Sequence, residues 1–139
     1  MWPNMRDKDQ GLGAGGQGLG ISQFRDLRVW QGGIGVVEGI YRASARFPKS
    51  EVFGLSAQIG RAAVSVPSNV AEGHARSSTK DYLHHMSIAL GSLAEVETQL
   101  EIAARLGYIA APDLRTILDQ TALLGKQLHA LRDALQRRL

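Results

Sequence analysis

Residues 58–76 read QIGRAAVSVPSNVAEGHAR, a stretch too polar for a plain core helix and too regular for a loop. Placed on a helix at about 100° per residue, Gln58, Arg61, Ser65, Asn69, Glu72 and Arg76 fall in one stripe roughly 80° wide. Leu55, Ile59, Ala62, Val66 and Val70 form an apolar stripe beside it, so this helix offers a core face and a row of hydrogen-bonding groups together. On a further face stand Gly60, Val64, Pro67 and Ala71, small enough for another helix to approach closely. Pro67 lacks an amide donor and crowds the carbonyl four residues back, which predicts a kink near Val64–Pro67. Ser50 is the expected cap, and the helix then continues through Phe53 and Leu55 toward Gly73.

Outward from this segment, a first helix is expected from about Ser22–Phe24 to Phe47, where Pro48 stops it. Leu27, Trp30, Ile34, Val37 and Tyr41 alternate at spacings of three and four and read as its core row. A second row, Val29, Gly33, Val36, Ile40 and Phe47, lies about 100° around, and this excess of apolar surface reads as either a wide core contact or a subunit interface, the interface being the expected one. A third helix starts at Ser78, with Asp81 completing an acidic capping box, and ends near Leu106 with Gly107 as terminator. Its core stripe is Leu83, Met86, Leu90, Leu93, Leu100 and Ala104, with Glu97 at the centre. A buried carboxylate needs a cation or several donors, and Arg61 is the expected bidentate partner. Pro112 opens a fourth helix carrying Leu114, Ile117, Leu118, Thr121, Leu124, Leu128, Leu131 and Leu135 on one side. Four amphipathic helices with short links predict an all-α, antiparallel up-down four-helix bundle over residues 22–139. Residues 1–21 are expected to be a flexible leader, because six of the ten residues in GLGAGGQGLG are glycine. Gly11, Gly13 and Gly16 match a dinucleotide-binding fingerprint in letters only, with no strand before them.

Composition narrows the function classes. The 139 residues contain no cysteine, which removes disulfides, thiolate metal sites and cysteine nucleophiles, and a soluble cytoplasmic chain with no membrane partner is expected. Net charge is +3 and unevenly spread. Seven cations between residues 24 and 76 (Arg25, Arg28, Arg42, Arg46, Lys49, Arg61, Arg76) face four acids, whereas seven of each cancel from residue 77 onward. An anion-facing surface is therefore expected on the first helical pair. The cations of the Arg132–Arg138 segment suit the end of a helix dipole and need no ligand. No Glu-x-x-His pair occurs, His84 and His85 read as surface residues and His129 as solvated or hydrogen-bonded between helices, so no catalytic set, metal or cofactor is expected. The polar ladder (Gln58, Arg61, Ser65, Asn69, Glu72) with Glu97 reads as a structural network that fixes helix register. Arg25, Arg28, Arg42, Arg46, Lys49 and Arg76 are the candidate nucleic-acid contacts.

FRDLRVWQ, FPKSEVFGLSAQIGRAAVSVPSNVAEG and RSSTKDYLHHMSIALGSLAEVETQLEIAARLGYI, followed by a Leu-rich helix, occur in that order. Over about Phe24–Leu135 the chain resembles the four-helix-bundle, 23S rRNA intervening-sequence protein family. Gln58, Arg61, Pro67, Asn69, Glu72, Gly73, Arg76, Glu97 and Gln99 match its characteristic positions. The resemblance implies a bacterial bundle that assembles as a ring-like homopentamer. The related accessory protein of diversity-generating retroelements uses such a barrel to bind nucleic acid and a reverse transcriptase. The family carries no catalytic residues to transfer. Gly32, Gly33, Gly35 and Gly60 depart from relatives that carry charged or bulkier residues there. The expected function is a non-enzymatic oligomer binding RNA or DNA through a basic surface of the first two helices. The alternative is a protein-interaction scaffold with the ladder internal.

Overall fold

The computed structural model describes residues 23–139, so the leader expected over residues 1–21 lies outside them. Four helices, α1 (Arg28–Ser44), α2 (Leu55–Ala75), α3 (Thr79–Arg105) and α4 (Ala111–Gln136), follow one another, with short 3-10 turns at Phe24–Asp26 and Lys49–Glu51. No strand occurs among the described residues. Each helix packs on its sequence neighbours, and α4 returns to α1, closing a four-membered ring. The pairings run in opposite senses. Gly33 meets Pro67 while Gly60 meets Tyr41, and Gly32 lies against Leu124 while Gly39 lies against Ile117 and Gln120. The bundle is therefore antiparallel and up-down, as its short connections require.

Local signals explain most boundaries. Ser78 Oγ accepts the Asp81 amide at 3.0 Å and starts α3. At the other end Gly107 takes φ 78°. Its amide reaches the Ala104 carbonyl at 3.0 Å and the Tyr108 amide reaches Ala103 at 2.8 Å, a Schellman closure that turns Tyr108 back onto the bundle. Pro112 sits in the first turn of α4. The start of α2 differs from expectation. Ser50 lies in the 3-10 turn and caps nothing. Glu51 Oε1 instead accepts the Leu55 amide at 3.0 Å, and Phe53, expected inside the helix, stands before it with 94% of its surface exposed. α2 runs without interruption through Pro67.

The core takes in both rows assigned to α1: Leu27, Trp30 and Val37 of the expected core row pack against it, and the expected interface row lies at its centre. Val29, Gly33, Val36, Ile40 and Phe47, expected at a subunit interface, are buried inside the protomer. Trp30, Ile34 and Val37 are only half-buried, and Tyr41 is 55% exposed. Gly33 faces α2 closely, since a Cβ there would lie 3.1 Å from Pro67 Cβ and the two helices would have to yield by a few tenths of an ångström. The buried face of α3 is likewise rotated from the expected one by roughly 80°. It carries His85, Met86, Ala89, Ser92, Leu93, Val96, Gln99, Leu100 and Ala103. Three of these residues, Ala89, Ser92 and Ala103, are small, and leucine spacing does not register them.

At Gly73 the backbone of α2 comes close to side chains of α3. A Cβ there would lie 2.9 Å from His85 Cβ and 3.0 Å from Tyr82 Cδ1, atoms with little freedom to yield. Gly91, on the outer side of α3, has nothing within 4 Å of such a Cβ. In urea unfolding, Gly73→Ala is expected to destabilise the protein by about 1–3 kcal/mol through overpacking. Gly91→Ala should stabilise it by up to about 1 kcal/mol through helix propensity. Equal shifts in the two variants would contradict this packing.

Candidate functional site

The ladder on α2 meets α3 in a hydrogen-bonded seam. Asn69 Nδ2 donates to the Ser65 carbonyl at 2.8 Å and to Ser65 Oγ at 3.1 Å. That orientation turns Asn69 Oδ1 toward His85 Nδ1 at 3.0 Å, a contact that the Nδ1–H tautomer of His85 satisfies. Ser92 Oγ donates to Ser65 Oγ at 2.8 Å. Gln99 Nε2 reaches Gln58 Oε1 at 3.5 Å and Glu95 Oε2 at 3.4 Å, both long contacts, and Gln99 Oε1 is buried with no donor among the described residues. His85, expected on the surface beside His84, is thus buried within the network. Its ring lies next to Asn69 only because α2 and α3 approach so closely, and α3's own periodicity carries no sign of this.

Arg61 and Glu97 do not meet. Glu97 stands on the α4 flank of α3, where its Oε2 lies 2.8 Å from Thr121 Oγ1. The fully buried Thr121 hydroxyl also lies 3.0 Å from the Leu118 carbonyl. With one proton to give, it favours the charged acceptor. Arg61 is exposed on the opposite flank, over a shallow groove of about 310 Å³ shared with Gln58, Ser65, Ser92 and Glu95. No ion pair engages it among the described residues. Glu72 also faces solvent, 3.9 Å from both Arg76 and His85 Nδ1.

The six candidate nucleic-acid contacts do not form one surface. Arg25, Arg28 and Arg76 lie at the end where α1 begins and α2 finishes, whereas Arg42, Arg46 and Lys49 lie at the other. Arg28 and Arg42 are about 21 Å apart along the helix at 1.5 Å per residue. The antiparallel path brings Lys80 and the α4 terminus, with Arg132, Arg137 and Arg138, to the first end. Arg138 is near enough to Tyr82 for its charge to oppose the upward shift that burial gives the Tyr82 phenol. Seven cations thus gather around four acids, Asp26, Glu72, Asp81 and Asp133. The ion pairs there are 3.9 Å for Arg76–Glu72 and 3.8 Å for Arg132–Asp133. The arginines of the α4 terminus were set aside in sequence as dipole partners, and their company appears only in the fold. Two further cavities open on the surface: one of about 810 Å³ between α3 and α4, with Glu97 and Lys126 on its walls, and one of about 470 Å³ beside Arg42 and Arg46.

The family model described as 23S rRNA-intervening sequence protein matches residues 25–130. The chain belongs to this family. Among solved structures, it is similar to a protein of unknown function from the S23 ribosomal protein family of Bacteroides thetaiotaomicron VPI-5482. The TM-score is 0.69 at 24% identity, covering 76% of this chain and 95% of that one, and the likeness carries the fold. No match is found among curated proteins. In this family member the matched region closes before Arg132, so the α4 cations lie beyond it. No group of three or more His, Cys, Asp or Glu side chains is placed to hold a metal among the described residues. No helix among the described residues is long and apolar enough to cross a membrane.

Glu51 links three elements. One carboxylate oxygen caps α2, and the other accepts Tyr108 Oη at 2.9 Å, while the Tyr108 ring lies 5.6 Å from Phe47. The Leu55 amide and the Tyr108 hydroxyl hold the carboxyl below its ordinary range, and the same hydrogen bond raises the phenol. A lowered carboxyl pKa contributes stability above its unfolded value that is lost as pH falls through the folded one. A raised phenol contributes stability that is lost as pH rises past its ordinary value. The gap in urea midpoint between wild type and Glu51→Gln should therefore close at pH below about 4, and a constant gap down to that pH would show that these bonds contribute nothing. Asn69→Ala, which strands His85 Nδ1, should cost about 1–3 kcal/mol. Arg61→Ala, at an exposed unpaired site, should stay within about 0.5 kcal/mol.

Proposed function

We propose that this protein is a non-catalytic helical bundle that assembles as a homo-oligomer, a pentameric ring, and binds RNA or DNA. The phosphate contacts come from the basic end of each protomer. The observation that carries this reading is the gathering of Arg25, Arg28, Arg76, Lys80, Arg132, Arg137 and Arg138 where four chain segments meet. Guanidinium forks suit phosphate oxygens, and a ring would repeat the net +3 of this end in every subunit. The middle of the bundle has the opposite balance, with Arg61 and Lys126 against Glu38, Glu95, Glu97 and Asp119. A continuous basic face on the first two helices therefore gives way to a basic end.

Assembly draws support from α1. The partly buried Trp30, Ile34 and Val37 and the exposed Tyr41 form an apolar strip on the flank of the exposed Val64 of α2, with Val52 and Phe53 bare beyond it. This strip, rather than the buried Val29 row, is the surface on which a second copy would lose the most apolar area to contact. The same strip also supports the scaffold reading, in which a protein partner such as a reverse transcriptase occupies it.

Fluorescence anisotropy with a short RNA duplex tests the phosphate contacts. Log affinity should fall linearly with log salt, and Arg28→Glu/Arg137→Glu/Arg138→Glu should weaken binding at least about tenfold and flatten the slope. Arg42→Glu/Arg46→Glu should leave duplex binding unchanged. Salt-independent or undetectable binding at low salt would remove the nucleic-acid reading. Native mass measurement of wild type and Tyr41→Arg tests the ring, which predicts a pentamer that the substitution dissociates.

A further inference from the structure

The cavity beside Arg42 and Arg46 lies at the end of the bundle away from the basic cluster. It is walled by α1 (Gly39, Ala43), the α3–α4 turn (Tyr108, Ile109) and α4 (Asp113, Ile117), and its volume of about 470 Å³ is in the range of small-molecule sites. Its parts divide cleanly. Gly39, Ala43, Ile109 and Ile117 make an apolar floor, and Arg42, Arg46 and Asp113 stand at the mouth. Tyr108 is a fixed wall, because the Schellman turn sets its backbone, Glu51 holds its hydroxyl at 2.9 Å and Phe47 packs on its ring. A wall fixed before the ligand arrives lowers the ordering cost of binding.

The charges at the mouth are available. Arg46 Nη1 sits 3.5 Å from Asp113 Oδ2 with the two side chains 78% and 54% exposed, a pair too wet and too long to hold the guanidinium against a better acceptor. Arg42 has no ion pair among the described residues. Inorganic phosphate would satisfy the two guanidiniums and leave the apolar floor unfilled. A plain hydrocarbon would fill the floor and leave both cations and Asp113 unused. A ligand matching all three regions has a flat, largely apolar ring, a donor for Asp113 and an anion for the arginines.

We propose that this cavity binds one nucleotide unit, its base on the floor beside Tyr108 and its phosphate on Arg42 and Arg46. Asp113, 3.5 Å from Arg46 at the mouth, accepts from one ribose hydroxyl, between base and phosphate. Thr116 Oγ1 donates to the Pro112 carbonyl at 3.1 Å, which leaves its lone pairs to accept from a ribose hydroxyl. The unit is either a free mononucleotide or the phosphorylated terminal residue of a strand, and the site stands apart from the basic end that contacts duplex phosphates.

Calorimetric titration of the full chain with adenosine 5′-monophosphate tests the site. Inorganic phosphate and a short single-stranded RNA, with and without its 5′-phosphate, serve as the other arms. Saturable binding of the mononucleotide, with inorganic phosphate binding at least about tenfold more weakly, is the expected result. A preference for the 5′-phosphorylated strand identifies a strand end as the source, and a preference for the free nucleotide identifies a soluble ligand. Arg46→Gln should weaken either at least about tenfold, and Asp113→Asn, which releases Arg46, should tighten the phosphate contact about threefold. Ala43→Phe should abolish binding by filling the floor, with unchanged circular dichroism and duplex-RNA affinity showing that the fold and the basic end survive. No saturable binding in any arm, equal affinity for inorganic phosphate and the mononucleotide, or indifference to both Arg46→Gln and Ala43→Phe would overturn the proposal. Loss of duplex binding alone would count only against the basic end.

Discussion

Gly73 brings the α2 backbone against His85 and Tyr82, and the rest of the bundle follows from that close contact. The buried faces of the two helices carry small residues, Ala62, Ala63, Ala89, Ser92 and Ala103, among larger ones such as His85 and Met86. Small residues bury little apolar area each, and the polar groups they leave must be satisfied in place. The Ser65–Asn69–His85 and Ser65–Ser92 hydrogen bonds meet that requirement. They also set register, because sliding α2 along α3 by one turn would break the two bonds that cross between the helices, Asn69–His85 and Ser65–Ser92. The seam is thus a consequence of close packing as well as its lock.

The same phase setting distributes surface to function. Turning Gly33 and Val36 inward leaves Trp30, Ile34, Val37 and Tyr41 half outside, on the flank toward α2. On the opposite flank, Gly39 and Ala43 leave room that Tyr108 and Ile117 only partly fill, and a cavity results. Charge sorts along the third direction, the bundle axis, since antiparallel helices put the start of one chain segment beside the finish of the next. Arg28, Arg76 and Arg138 are far apart in sequence and share one end for that reason alone. An assembly face, a ligand-sized cavity and a basic end therefore occupy three different regions of one small bundle and need not compete.

Much of the architecture was legible in the residues. The Ser78–Asp81 cap, the Gly107 terminator, Pro112 at the start of α4, and the leucine row of α4 are short-range signals, decided within a turn or two of helix, and the structure repeats them. Signals that needed a partner helix failed. Ser50 yielded the α2 cap to Glu51, whose carboxylate is held from outside the turn by Tyr108. Leucine counting put Glu97 at the heart of α3, because large side chains were weighted and the small ones facing α2 were not.

The sequence by itself determined four amphipathic helices, their order, their antiparallel connection and the polar character of the α2 ladder, since helix periodicity and turn chemistry are written into neighbouring residues. Only the tertiary structure decided which apolar row of α1 lies at the centre of the core, where the ladder finds His85 and Ser92, and which cations stand together. Those outcomes depend on the rotation of each helix about its own axis. That rotation is set by the fit of Gly33 on Pro67 and Gly73 on His85, contacts between residues whose separation in the chain gives no sign that they meet.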